Sequence, residues 1–270
     1  MEIKYHKLAD ESVDFIQSPN GGGVIRPRFI VMHYTAGYTG SSAIQTFKSP
    51  ASKVSAHLVI DRSGKVTQMM PFNKKAWHAG PSVYKGVRNL NSHSIGIEFV
   101  NIGYLRQSRK GLVDAYGNTL SMEKFDDYVI APHPRVGSGE FYWPVYTEAQ
   151  LAVGRKITEA LIKSYPIEGI CSHEEIDTRG WKTDPGPAFP MRSFVDLLGK
   201  KRDDEPLPTY EYTVDVSSLN VRAGPGTNWQ VIGGVRRGDK VQSVEEKGGW
   251  VRIIEGDMEG WVSSRYLARE

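Results

Sequence analysis

The sequence predicts two folded units: an α/β domain with a mixed central sheet flanked by helices over residues 1–200, and a small all-β barrel over residues 210–270, joined by a linker at 201–209. Three observations carry that expectation. Up to about residue 198, apolar β-rich runs alternate with a capped amphipathic helix. At 199–208 the stretch GKKRDDEPLP, charged and carrying two prolines, interrupts all periodicity. Beyond it, short β-rich runs are punctuated by glycines and no helical period returns.

Taken in order, residues 29–34 (FIVMHY) form a continuous apolar run, the pattern of a strand buried on both faces. Residues 56–60 (AHLVI), the turn DRSG at 61–64 and residues 66–70 predict a hairpin. Residues 94–101 (SIGIEFVN) predict a strand with Ile95, Ile97 and Phe99 on one face and Gly96, Glu98 and Val100 on the other. A helix is expected over 147–165: Thr147 and Gln150 supply a capping box, Leu151, Ile157, Leu161 and Ile162 an apolar face, and Pro166 the stop. A short strand follows at 167–172. After the linker, strands are expected at 210–214, 219–222, 231–235, 240–244, 250–254 and 259–262, enough for a small barrel.

Composition narrows the function classes. With 39% hydrophobic residues and a mean hydropathy of −0.41, the 270-residue chain reads as globular with a real core. No run approaches the roughly 18 apolar residues of a membrane span, so no membrane insertion is expected. Residues 1–10 (MEIKYHKLAD) lack the pattern of a signal peptide. The single cysteine, Cys171, excludes an intrachain disulfide and any metal site built from several thiolates. A metal must therefore sit on histidine and carboxylate. A net charge of +3 gives no case for a nucleic-acid partner. That figure conceals a split: residues 1–202 carry 26 Lys/Arg against 19 Asp/Glu, and residues 203–270 carry 8 against 12.

Seven histidines supply all the imidazole. His33 interrupts an apolar strand near its C-terminal end, the end at which ligands collect in open α/β sheets, and His173 stands the same way after GICS. Nine residues further comes KTDPGP at 182–187, where Lys182 and Asp184 are two apart and project to one side of an extended segment. Two imidazoles and one carboxylate, with a fourth position for water, make the donor set of a catalytic zinc site. Hydrolysis then needs a general base and a cation or donor for the oxyanion. Glu98, a carboxylate inside an apolar strand, and Lys182 are the candidates. The bland alternatives are a turn role for Asp184 before proline and a structural ion pair for Glu98.

These residues resemble the type 2 zinc-dependent N-acetylmuramoyl-L-alanine amidases, relatives of bacteriophage lysozyme-type amidases and of peptidoglycan recognition proteins. The resemblance rests on IVMHYTA (30–36), VSAHLVI (54–60) with 61–64, AWHAGP (76–81), SIGIEF (94–99) and CSHEEIDTRGWKTDPGP (171–187), and covers about residues 25–195. It implies one Zn²⁺ per chain on His33, His173 and Asp184, with Glu98 and Lys182 as the catalytic pair. Several relatives use cysteine where Asp184 stands. Some place a catalytic tyrosine in the block around His57, where this chain has Ala56, which leaves that role to Glu98. The implied activity is a metallo-hydrolase cut of the amide between N-acetylmuramic acid and the L-alanine of the stem peptide, on peptidoglycan or muropeptides. The rival is a peptidoglycan-binding protein with a vestigial zinc site, which the intact set of three ligands opposes. His57, Trp77, His78 and Tyr34 are candidates for the substrate groove, with a packing or hydrogen-bonding role standing equally for His57, whereas His6, His93 and His133 receive no role.

The 45 residues from Ile102 to Tyr146 depart from the family pattern, and two readings stand: an aromatic and basic loop that grips glycan, or a surface insertion. Residues 218–227, 250–251, 260–262 and 266–267 resemble a bacterial SH3-like domain, which implies binding to cell-wall peptide; Trp250 and Trp261 are read either as its core or as its binding face. The expected place of action is the cell wall, reached by phage-type release, or alternatively the cytoplasm, in muropeptide recycling.

Overall fold

The computed structural model describes residues 1–125, 127–199, 211–255 and 258–269. They fall into two compact units, Met1–Lys200 and Lys201–Glu270. The expected linker at 201–209 lies outside the described residues.

In the first unit the strands that frame the site are β1 (Asp14–Phe15), β2 (Phe29–Tyr34), β3 (Leu58–Ile60), β4 (Val66–Gln68), β5 (Ser94–Phe99), the hairpin β6 (Tyr128–His133) and β7 (Gly137–Pro144), and β8 (Gly169–Ser172). The helices are α1 (Gly40–Lys48), α2 (Glu148–Ser164), α3 (His173–Ile176) and α4 (Met191–Val195). All these strands except the hairpin join one mixed sheet in the order β8-β2-β5-β3-β4-β1. β2 runs parallel to both β5 and β8, and β3 and β4 form the expected antiparallel hairpin.

Both faces of the sheet are covered, as the uninterrupted apolar run at 29–34 requires. Ile30, Met32, Ile95, Ile97 and Phe99 pack with Ile157 and Leu161 of α2 on one side. Phe29, Val31 and Cys171 pack with Leu90 and Ile176 on the other. The Thr147–Gln150 capping box forms and α2 begins where expected. Gly154 lets that helix approach the sheet closely, since a Cβ there would lie 2.7 Å from the Phe99 ring. α1 escaped the sequence reading because GSSAIQTFK is short and mostly small and polar, with only Ala43, Ile44 and Phe47 to mark an apolar face. Its start is held from outside the helix, by the Asp61 carboxylate accepting the Gly40 N–H at 2.9 Å.

Register delivers the chemistry. Glu98 lies directly opposite His33 across β5 and β2, and Ser172 lies opposite Met32 across β8 and β2. One step past Ser172 the chain reaches His173, level with His33. Rather than ending the strand, His173 opens the one-turn helix α3, capped by the Ser172 side chain. Three adjacent parallel strands thus present His173, His33 and Glu98 at their C-terminal edge.

The second unit is a seven-stranded sheet of β9 (Glu211–Val214), β10 (Ser218–Arg222), β11 (Val231–Arg236), β12 (Lys240–Lys247), β13 (Trp250–Glu255), β14 (Met258–Ser263) and β15 (Leu267–Arg269), ordered β11-β10-β14-β13-β12-β9-β15. Six of these match the expected runs, and the last was not foreseen. Its core is aliphatic, including Val214, Val221, Val235, Val241, Val251, Ile253 and Val262. Trp250 and Trp261 lie outside that core, half-buried, which corrects the reading of them as core.

Candidate metal centre and active site

His33, His173 and Asp184 converge as buried side chains, with exposures of 1%, 3% and 6%. His33 Nδ1 stands 3.0 Å from His173 Nδ1 and 3.0 Å from Asp184 Oδ2, and His173 Nδ1 stands 2.9 Å from the same oxygen. Among the described residues this is the one such group able to hold a metal ion. A tetrahedral ion with donors at roughly 2.0–2.1 Å needs donor–donor edges of about 3.3 Å. The observed triangle is slightly tighter, and two nitrogens with one oxygen suit zinc better than magnesium or calcium. Burial, followed by the neighbouring His173, pushes the His33 pKa down to about 4, so its ring is neutral at physiological pH. Burial alone would raise the Asp184 pKa, but the two histidines outweigh it and hold the carboxyl well below its usual range.

A chain of hydrogen bonds orients His33. Ser94 Oγ donates to the Leu90 carbonyl at 2.6 Å, which leaves its oxygen to accept from His78 Nε2 at 3.3 Å. His78 Nδ1 is then an acceptor, and His33 Nε2 donates to it at 2.9 Å. With its proton on Nε2, His33 offers the Nδ1 lone pair to a cation. Gly96 makes this possible: any Cβ there would lie 2.5 Å from the His78 ring.

Glu98 Oε2 is buried and has no hydrogen-bond partner. Burial, reinforced by the Asp184 charge and opposed by Lys182, raises its carboxyl pKa well above the usual value. Lys182 lines the adjoining groove together with His173, and its Nζ makes no hydrogen bond or ion pair among the described residues. An unpaired buried acid and an unpaired ammonium thus flank the donor triangle.

The sequence profile of the N-acetylmuramoyl-L-alanine amidase family matches residues 24–187, a span that contains all five of these residues. The chain belongs to this family. A bacterial SH3 domain profile matches residues 217–268. The amidase-family chain is 33% identical over 151 residues to 1,6-anhydro-N-acetylmuramyl-L-alanine amidase AmpD of Escherichia coli K12, covering 55% of this chain and 61% of that one. It is 29% identical over 176 residues to N-acetylmuramoyl-L-alanine amidase AmiD of the same organism, covering 63% and 52% respectively. A crystal structure of a selenomethionine derivative of AmpD aligns with a TM-score of 0.51 at 27% identity, over 73% of this chain and 99% of that one.

Within this amidase-family chain, Lys182 and Asp184 are held by residues that sequence reasoning missed. Asp177 Oδ2 accepts the backbone N–H groups of Trp181 and Lys182 at 3.0 and 3.2 Å, and Asp177 Oδ1 accepts Arg179 Nε at 2.9 Å. From the 102–146 insertion, Arg135 Nη1 donates to the Lys182 carbonyl at 2.8 Å and His133 Nε2 meets Glu174 Oε2 at 2.5 Å. Trp143 fits against Gly186, and the Tyr146 hydroxyl donates to the Pro185 carbonyl at 2.7 Å. The insertion is therefore a brace for the 182–186 segment, with a small core of its own around Ile102, Leu105, Leu112 and Phe125. His133, which received no role from sequence, is part of that brace. Each contact of the insertion spans tens of positions, so no local spacing announced it.

One of the candidate substrate residues is corrected. His57 is 0% exposed; its Nε2 donates to the Lys74 carbonyl at 2.8 Å and its Nδ1 accepts the Gly96 N–H, so it holds strands together and cannot meet a substrate. The Tyr34 hydroxyl shares a hydrogen bond of 2.5 Å with Thr183 Oγ1, another tie to the Lys182 segment. Trp77 and His78 do line the groove beside Lys182, though both ring nitrogens of His78 are engaged.

Two predictions arise here. Burial would raise the Asp177 pKa, but hydrogen bonds from Arg179, Trp181 and Lys182 lower it to about 2. A lowered carboxyl stabilises the fold above its unfolded pKa and loses that contribution as pH falls toward 2. Asp177→Asn should cost about 2 kcal/mol at pH 7, and denaturant melts should show the gap to the parent closing between about pH 4 and 2. A gap independent of pH would remove the charge from the explanation. Arg135→Ala should leave metal content intact and lower kcat about tenfold with little change in KM, because one charged donor to the Lys182 carbonyl is lost. Unaltered steady-state kinetics would reduce the brace to decoration.

Proposed function

We propose that this chain is a zinc-dependent N-acetylmuramoyl-L-alanine amidase, hydrolysing the amide between N-acetylmuramic acid and the L-alanine of the stem peptide. The observation that carries this reading is the donor triangle of His33, His173 and Asp184 beside a buried carboxylate with no structural partner, in a chain of this family. The chain spans 61% of the length of AmpD and 52% of AmiD, the relatives compared above. Both relatives are named as amidases, which supports the reaction class, and the geometry supports the means.

Zinc held by His33, His173 and Asp184 would act as a Lewis acid on the scissile carbonyl and lower the pKa of a coordinated water. Glu98, which no donor occupies, takes the proton of the attacking water and returns it to the leaving alanine nitrogen. Burial, with the Asp184 charge, shifts its pKa upward, the direction that favours handing the proton on. Lys182 places a positive charge where the carbonyl oxygen becomes anionic. The His78–Ser94 chain keeps the His33 lone pair turned to the metal throughout.

The SH3-like unit supports a polymeric target, since anchoring to cell-wall peptide serves an enzyme that works on the wall more than one that recycles soluble fragments. The place of action proposed is accordingly the cell wall. Purified protein incubated with defined sacculi and with soluble muropeptides, with and without chelator, should release peptides bearing a free alanine amino terminus, and mass spectrometry identifies them. Retention on sacculi with no release at any zinc concentration would instead establish a recognition protein with a vestigial site.

A further inference from the structure

Beside the donor triangle lies a groove of about 380 Å³ whose charged lining is of one sign. Lys53, Arg179 and Lys182 stand around it, and among the described residues no carboxylate lines it. The groove beside α1, lined by Thr35, Tyr38, Thr39 and Tyr116 among others, has no charged residue at all. Arg179 is set in place from three sides. Its Nε donates to Asp177, its guanidinium lies 4.4 Å from the centre of the Trp181 ring, and its Nη2 lies over Gly80, within 3.0 Å of where a Cβ would be. Its two terminal nitrogens carry no hydrogen bond among the described residues, and the side chain is one-third exposed at 33%.

A second feature belongs to a residue of the same lining. His173 lines it, is 3% exposed, and its Nε2 has no partner. With Nδ1 turned to the donor triangle, Nε2 bears the proton and is a buried donor without an acceptor, an arrangement that is costly until an acceptor arrives. Three cations and one orphaned donor together ask for an anion rich in oxygen.

We propose that this groove receives the peptide side of the substrate and that Arg179 determines specificity for a free carboxylate on the residue following the alanine. The proposal rests on the amidase reading. The sugar of a muropeptide offers neutral hydroxyl and acetamido groups, whereas its stem peptide carries the carboxylates, so charge assigns the peptide to the cationic side. A guanidinium with both Nη groups free and its orientation already fixed by Asp177 and Trp181 meets a carboxylate with two parallel N–H···O bonds at little entropic cost.

The test compares two muropeptides that differ at one group, the second stem residue being γ-linked glutamate with its α-carboxyl either free or converted to the carboxamide. The parent should show a KM about tenfold lower for the acid than for the amide. Arg179→Gln should abolish the discrimination, raising the KM of the acid to that of the amide, and Arg179→Lys should recover part of the difference. Equal KM values for acid and amide in the parent would overturn the assignment, as would an equal loss for both in Arg179→Gln. The same pair measured as Kd on Glu98→Gln by titration calorimetry separates this proposal from the one beneath it. Absence of turnover of either peptide by the zinc-loaded parent overturns the amidase reading, whereas equal Kd values overturn the Arg179 assignment.

Discussion

Glu98→Gln is expected to lower kcat by about 10²–10⁴-fold, the range lost with a general acid–base group, while zinc content and the thermal midpoint stay near those of the parent. The structure makes this a sharp test. Glu98 Oε2 has no hydrogen-bond partner, so the substitution breaks no hydrogen bond of that oxygen, and an isosteric neutral group removes the cost of burying a charge. Its neighbours across the sheet, His33 and Val59, keep their backbone pairing whatever the side chain. A structural ion-pair role predicts the reverse: a clear loss of stability with modest kinetic change. Activity within a few-fold of the parent would remove Glu98 from the reaction.

Asp184→Ala is expected to strip the metal. Removing the one carboxylate of the triangle leaves two imidazoles, and zinc affinity should fall by more than the roughly 10–100-fold that loss of an outer-shell partner costs. Elemental analysis after dialysis should show a parent near one zinc per chain and a variant well below it. The parent's thermal midpoint should rise with added zinc and the variant's should not, since an ion that binds only the folded state stabilises it by mass action. Chelator-treated parent should behave as the variant does in both assays. A variant that retains one zinc per chain through dialysis would take Asp184 out of the metal's coordination.

Much of this site was legible residue by residue. His33 and His173 stood out because each ends an apolar β-rich run, and Glu98 because it is the lone acid inside another. The buried exposures of both histidines and the direct pairing of Glu98 with His33 carry the same meaning in three dimensions. The reading of His57 as a groove residue went astray for an identifiable reason. It occupies a block as distinctive as that of His78, and only the backbone around it shows that Lys74 and Gly96 consume both ring nitrogens. Arg135 and His133 left no trace in spacing, because the insertion reaches the segment around Lys182 across 47 positions in the case of Arg135 and Lys182; Asp177 stands within five positions of its partners and was overlooked as one more acid of a polar loop.

By itself, then, the sequence determined the inventory of chemistry and the frame that carries it: a two-sided buried strand, a capped helix, two strand-end histidines, a lone buried acid, and a change to glycine-punctuated β structure after residue 208. These are local properties, set by period, capping and turn chemistry within a dozen residues. Tertiary structure alone decided which nitrogen of His33 faces the donor triangle, which cations share a groove, and that the 102–146 insertion braces the reactive lysine. Those outcomes depend on parallel register and on hydrogen bonds between segments far apart in the chain, and such pairings come from the path of the backbone, which no local pattern records.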